Sequence, residues 1–586
     1  MSANARGFPQ APEIKIRVQN LQCGEEKPQC VRCSSTGRKC EYSSTIIGTL
    51  APIPHVSNLH KTLSLSPNTG SRERRAFAYY LQHTAVSIGG GLDADFWNIT
   101  IPQICQSESA VWDAMIAISS LFEVPRAFHH LDSVSRGHSQ SLGESQKDAL
   151  DWYSRSVSAV RRGIERGAID SFVGLITCML FICIESLLGN MEEAILLYRQ
   201  AVHLILTLWA QRSFGTVTGA QILLLKDTII PIFIRLASSS PKTTWALTMT
   251  MARETEYTCA LPQEFRSLKA AREAIVMLAA EVTVFEQTCE QYLQKSQAWN
   301  ISEDMMSQQG FLSARLQSWH TAFTNFLGSQ RAKGDLSPFH VSIDALLSSY
   351  HEMLLIILGV CKSPLRITTD AYTENFRAIV EKSSIALGDL GREDGVRAPY
   401  TFELSVGLPL WFTCIRCRES RIRRAALALL RRTHQVQGLA KRDHGTALVE
   451  VIMMLEETSA ISVNAAEDGA NFTFSQPFNK CINHKSHSQD SGPFDTLEAE
   501  VAARSTPQCT HRKTEKGVIN FIPQEARVRP HGAFRLGDEL PPELTEQDIA
   551  TSNLQCGQTY LHISRNERDL TNNSWRMVHD FIPLVL

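Results

Sequence analysis

From Arg72 to about Glu457, apolar residues recur at helical spacing almost without interruption. In Ala110–Glu123 they fall three and four residues apart, the period that places side chains on one face of an α-helix. Met191–Leu208 follows the same rule, with Ala194, Leu197, Tyr198, Ala201, Leu204 and Ile205 forming one stripe. Gly189 and Asn190 precede it as a helix stop and turn, since glycine ends helices in the left-handed conformation without steric cost. The pattern predicts an antiparallel helical hairpin. No fixed repeat period runs through the chain, and strand signals are scarce. The predicted fold is therefore all-α, a large irregular array of antiparallel helical hairpins.

Two stretches break the pattern. Residues 43–70 are punctuated by Pro, Ser and Gly and sustain no heptad, so they read as a linker and not as a dimerising coiled coil. After about Asn464 the composition shifts to Ser, Asn, Gln, His, Gly and Pro. Such a segment buries too little apolar surface to offset its ordering entropy, so residues 461–586 read as a loosely ordered tail. Within it, Val518–Pro523 and Val578–Leu586 are short apolar pieces that could dock on the helical body. Phe172–Gly189 is apolar enough to raise the question of a membrane span, but it is barely long enough and contains Glu185. It reads as a buried core helix, and no membrane partner is expected.

Charge changes this picture only locally. The 586 residues carry 58 basic and 60 acidic side chains, a net charge of -2, so the whole chain does not announce a nucleic-acid binder. Residues 1–50 differ: Arg6, Lys15, Arg17, Lys27, Arg32, Arg38 and Lys39 face Glu13, Glu25, Glu26 and Glu41. That small basic excess lies beside a dense cysteine run, where a phosphate-contacting module would need it. The start of the chain lacks the apolar core of a signal peptide, which predicts a reducing intracellular compartment.

The cysteine run is the sharpest chemical signal. Cys23, Cys30, Cys33 and Cys40 read C-x6-C-x2-C-x6-C. Four thiolates in eighteen residues suit a soft tetrahedral metal such as zinc better than a hydrophobic core. Of the fifteen cysteines, most of those outside the run, including Cys178, Cys183, Cys289 and Cys361, sit singly in apolar segments as small hydrophobes, and the odd total argues against a disulfide framework.

The run resembles the later two-thirds of the six-cysteine binuclear zinc cluster of fungal transcription factors. In that family six thiolates hold two zinc ions, and a basic helix between the second and third cysteines enters the DNA major groove. Counting back from Cys23, the missing cysteines fall on Glu13 and Ile16. Arg17 matches the first basic position, whereas Gln19, Asn20 and Gln22 stand where Arg, Lys and Lys are usual. Four thiolates close one tetrahedral site and cannot hold two bridged zinc ions. An N-terminus altered by a gene-model error and a degenerate cluster both remain open at this point.

The helical region resembles the same family's regulatory domain in several patches that agree in order: Arg72–Tyr80, Gly91–Trp97, Ser107–Ala114, Leu180–Asn190 and Cys417–Arg432. The resemblance implies a nuclear, sequence-specific regulator of RNA polymerase II genes, of a kind that controls specialised-metabolite clusters. It would have a partial zinc-cluster DNA-binding module over 1–42, a linker over 43–70 and a helical regulatory domain over 71–460. It assigns Cys23, Cys30, Cys33 and Cys40 as zinc ligands, and Lys15, Arg17, Arg38 and Lys39 as contacts to phosphate or bases. Partners would be DNA with CGG-type sites and the transcription machinery or co-regulators. The alternative is a helical protein-interaction regulator that has lost DNA binding.

Other constellations read more simply. Arg416–Arg432 is strongly basic, but Ala425, Leu427, Ala428 and Leu430 make it amphipathic, which predicts a solvated helix packed on one side. Cys414 and Cys417 have metal-knuckle spacing inside an apolar run and read as buried thiols. Cys481, His484 and His487, with Cys509 and His511 downstream, are metal-ligand types in a polar tail without supporting structure. His351-Glu352 lacks the second histidine of a zinc-protease helix, and Gly89–Gly91 is not followed by a phosphate-binding lysine. No enzyme signature stands, and the chain is not expected to be an enzyme.

Overall fold

Where apolar stripes meet capping residues, the chain forms helices. The computed structural model describes residues 70–123, 143–167, 170–212, 217–236, 247, 264–296, 301–334, 337–362, 367–388, 398–467, 521–523, 526–535, 554–555, 558–569 and 574–583. α1 (Ser71–Tyr79) runs through one π-helical turn, Tyr80–Thr84, into α2 (Ala85–Gly89). α3 (Ile101–Ser107), α4 (Ser109–Glu123) and α5 (Glu144–Glu165) follow. Ser119 Oγ donates to Ala76 O at 2.6 Å and Ser156 Oγ to Ala110 O at 2.6 Å, so α4 is held against both α1 and α5.

α6 (Ser171–Leu188) and α7 (Met191–Gln211) are the predicted hairpin. Asp170 starts α6 by accepting from the amides of Phe172 (2.7 Å) and Val173 (3.2 Å). Gly189 ends it at φ +95°, while the Asn190 amide donates to Glu185 O at 2.9 Å. Cys178 Sγ meets Leu197 O at 3.4 Å across the pair, which fixes the antiparallel register.

The chain continues through α8 (Gly219–Leu224), α9 (Ile230–Leu236), α10 (Leu268–Ser296), α11 (Glu303–Ala332), α12 (Pro338–Val360) and α13 (Thr373–Gly388). α14 (Gly407–Arg416), α15 (Ser420–Leu430) and α16 (Arg442–Glu467) complete the helical body. Trp319, fully buried on α11, donates to Ala271 O of α10 at 2.9 Å. Both α6 and α12 are long and apolar enough to cross a bilayer, yet 61% and 72% of their apolar windows are buried inside the protein. The expected core helix at 172–189 is what the structure shows.

The triple glycine is explained by packing. A Cβ on Gly89 would lie 1.9 Å from Trp97 Cδ1, and one on Gly91 would lie 2.6 Å from Phe339 Cζ. Gly90, at φ +60°, turns the chain beside Glu403. Trp97 is thereby seated against the backbone of α2 and stacks on Phe402 with ring centroids 5.0 Å apart.

Sequence reading did not anticipate the charges at the centre. Asp93 receives Arg235 Nη2 at 2.6 Å, Arg272 Nη2 at 2.9 Å and Lys269 Nζ at 3.0 Å. Arg235 also reaches Glu273 Oε1 at 3.1 Å, and Arg272 pairs with Glu403. Burial pushes the Asp93 carboxyl up, but Arg235, Arg272 and Lys269 outweigh it and hold it well below the usual carboxylate range.

The basic run also needs a correction. Along α15 the buried positions are Ser420, Ile422, Arg423, Ala426, Leu427 and Leu430, so Arg423 is on the packed side and not in solvent. Arg423, with the preceding Arg418, converges on the fully buried Glu456 of α16. Arg418 Nη1 donates to Glu456 Oε1 at 2.8 Å. Arg423 Nη2 lies 2.6 Å from Oε2 as an ion pair whose angles fall outside hydrogen-bond geometry. The helical period placed these residues correctly, but the acid that admits them to the interior comes from a distant helix.

Among the described residues, two small sheets accompany the helices. β1 (Tyr400–Thr401) pairs parallel with β2 (Val436–Gln437), which pairs antiparallel with β3 (Ala440–Lys441). β4 (Val528–Arg535), β5 (Thr559–Asp569) and β6 (Ser574–Pro583) form an antiparallel sheet in the order β4-β5-β6. Within the segment read as a loosely ordered tail, Val528–Arg535, Thr559–Asp569 and Ser574–Pro583 are therefore strands. These strands carry His, Arg and Asp among their apolar residues, and His562 and His579 share a face with Tyr560 and Phe581. Polar composition alone therefore suggested loop.

Candidate functional site

The predicted zinc ligands Cys23, Cys30, Cys33 and Cys40 and the predicted DNA contacts Lys15, Arg17, Arg38 and Lys39 lie outside the described residues. So do Cys481, His484, His487, Cys509 and His511. Cys414 and Cys417 are described, and they are buried thiols as expected. Cys414 Sγ meets Arg423 O at 3.6 Å and Cys417 Sγ meets Glu419 O at 3.9 Å. Burial pushes their thiols up to about 12 and about 11, respectively. His351 is buried against Trp319 and stacks on His320 with centroids 4.4 Å apart. Burial lowers its pKa to about 4, with the neighbouring His320 adding to the effect.

A cavity of about 380 Å³ opens between the helical body and the C-terminal sheet. That size falls within the usual range of small-molecule sites. Its apolar floor is built from Met353 and Ile357 of α12 and Trp411, Phe412 and Ile415 of α14. Helical spacing sets these residues on common faces: 353 with 357, and 411 with 412 and 415. One wall is α10, which presents Glu286 and Glu290, and the opposing wall is β4, which presents Val528–His531.

The rim is charged and internally paired. Arg416 Nη2 lies 3.1 Å from Glu286 Oε1, and its guanidinium stands 6.0 Å from the Phe412 ring centre. Arg529 of β4 pairs with Glu290. Behind this wall, the Val528 amide donates to Glu456 Oε1 at 2.9 Å, so β4 is anchored to the same carboxylate that gathers Arg418 and Arg423. The hydroxyl of Thr283, on the lining, donates to Ala279 O of its own helix at 2.8 Å. An apolar floor with a paired acidic and basic rim is suited to holding an amphipathic molecule in place.

Sequence reasoning missed this site. Arg416 entered it only as the start of a basic run. The acids lie about 130 residues upstream of Arg416 and β4 lies more than 100 downstream, so no local window contains the set.

The described fold is a mostly helical body with a cavity against its C-terminal sheet. A 250-residue stretch is similar to the aspercryptin biosynthesis cluster-specific transcription regulator atnN of Emericella nidulans, at 27% identity. The similarity covers 38% of this chain and 38% of the relative's own length, a distant relationship. No family model matches the chain, and no solved structure matches it.

Proposed function

We propose that this chain is a nuclear, non-enzymatic regulator of transcription by RNA polymerase II that controls a specialised-metabolite gene cluster. The observation that carries the reading is the similarity to a cluster-specific transcription regulator, joined to the zinc-cluster-like run at the N-terminus. In this reading Cys23, Cys30, Cys33 and Cys40 hold zinc, and Lys15, Arg17, Arg38 and Lys39 grip DNA. The helical body is regulatory, and the cavity between α10, α12, α14 and β4 receives a small effector. The amphipathic lining supports that assignment.

Zinc at these four thiolates would act structurally, fixing the segment that carries Arg38 and Lys39. A site of this size supports one zinc ion, so base reading is weaker than in a six-cysteine cluster. The absent cysteines at Glu13 and Ile16 favour a second reading, a helical regulator that has lost DNA binding and acts through protein contacts.

The test is binding of the purified full chain to CGG-containing and scrambled duplexes over a salt series. Preference for CGG sites, abolished by Cys30→Ser, is the expected result. Binding with a steep salt dependence and no preference means contact with phosphates alone. No binding at low salt overturns the DNA-binding assignment and leaves the protein-contact reading.

A further inference from the structure

The geometry points to a binding site for one zinc-type divalent transition-metal ion, formed by His531, His562 and His579 on one face of the C-terminal sheet. Nothing in the N-terminal cysteine module enters this inference, and the two can fail separately.

Strand register builds the site. His562 and Ser564 alternate onto the same face of β5, and β6 sets His579 directly opposite Ser564. On the other side, β4 pairs Pro530 with Ile563 and Gly532 with His562, which makes His531 the extra residue of a β-bulge. Arg529 pairs with Ser564, so ordinary alternation along β4 places His531 on the face of Ser564 and His562. The bulge shifts the register of the residues that follow, and Gly532 at φ +140° supplies a backbone conformation that side chains rarely adopt.

The donor atoms of the three histidines all lie within 4.8 Å of one another. His562 Nε2 is 2.8 Å from His579 Nδ1, and His531 Nε2 is 2.8 Å from Ser564 Oγ. The His531 ring stacks on His562 with centroids 4.4 Å apart. Tetrahedral zinc with nitrogens at about 2.0–2.1 Å sets its ligands about 3.3 Å apart, so small side-chain rotations convert this cluster into a coordination sphere. Ser564 provides the outer hydrogen bond that fixes the orientation of a ligating imidazole.

The donor set also specifies the metal. Three imidazoles are borderline nitrogen ligands that favour zinc, copper or nickel over magnesium or calcium. The nearby carboxylate of Asp580 sits at the next position along β6, on the other face, and accepts from Arg565 Nε at 2.7 Å. Three protein ligands leave a fourth position open to an outside group. His531 also lines the cavity, so metal and cavity share a wall.

The experiment uses the full chain carrying Cys23→Ser and Cys30→Ser, stripped with chelator and titrated with cobalt(II). Imidazole-bound cobalt gives visible bands without the thiolate charge-transfer absorption that a cysteine site produces. One equivalent with that spectrum is expected, and His579→Gln or His531→Gln should each remove it. Both positions are only partly buried, and an unchanged far-ultraviolet circular dichroism spectrum verifies the fold. Cobalt uptake that is absent, or unaltered in both histidine variants, overturns the site. In the unsubstituted chain, missing thiolate absorption with the visible bands retained would remove the cysteine assignment and leave the histidine site standing.

Discussion

Asp93 and Arg272 stand 179 residues apart in the chain, and Nη2 of the arginine lies 2.9 Å and 3.0 Å from the two carboxylate oxygens. The arginine side chain is wholly covered, and the carboxylate is nearly so. The pair links the turn after α2 to α10, and Arg235 brings in α9. Removing one partner leaves uncompensated charge in the interior. Asp93→Ala is therefore expected to destabilise the protein by about 3–5 kcal/mol. A fall in the denaturant midpoint checks this, and an unchanged midpoint would contradict the structural role given to the cluster. Because the folded carboxyl titrates below its usual value, its contribution is present above about pH 4 and is lost as pH falls through the depressed folded value.

His351 acts in a different pH window. Its folded pKa of about 4 lies below the ordinary value of 6.5, so between these values the unfolded chain binds the proton and the native chain does not. Stability is complete above about pH 6.5 and should decline by roughly 3 kcal/mol as pH falls to 4. Neither ring nitrogen has a hydrogen-bond partner. His351→Phe is expected to gain about 1 kcal/mol at pH 7 and to flatten the stability profile over that window. Urea unfolding at a series of pH values reads both effects.

Gly89→Ala tests the close seating of Trp97. The added methyl would meet the indole at 1.9 Å, and Trp97 is fully buried, so the ring or the helix must move. A cost of about 1–3 kcal/mol is expected, together with altered tryptophan fluorescence. The neighbouring substitution Val86→Ala, at an exposed position, should leave both unchanged.

The thiols of Cys414 and Cys417 should resist alkylation in the native protein. With the Cys414 pKa at about 12, the thiolate is scarcer than for an ordinary cysteine by roughly a thousandfold, and burial adds to the protection. Iodoacetamide labelling followed by peptide mass analysis should find both modified only after denaturation. Rapid native labelling would argue against their placement between α14 and α15.

The hairpin of α6 and α7 was legible because each of its signals is local. Asp170, the apolar run, Gly189 and the following stripe all lie within forty residues. The buried arginines were not legible. Arg418 and Arg423 resemble surface charge until Glu456, on another helix, is brought to them. The histidine cluster was hidden for the same reason: His562 and His579 are 17 residues apart, and His531 joins them only through the pairing of β4 with β5, which sequence spacing does not reveal. The cavity draws on α10, α12, α14 and β4, and its two glutamates and three arginines are scattered from Glu286 to Arg529.

The hydrogen bond from the Val528 amide to Glu456 also constrains the order of assembly. During synthesis, Glu456 leaves the ribosome 72 residues before Val528 does. For several seconds, at typical rates of about 5–20 residues per second, the nascent helical body exists without the strand that completes the surroundings of its innermost acid. Maturation of the body therefore waits on the distal sheet, and a ribosome stalled before β4 would expose an unfinished protein to chaperones.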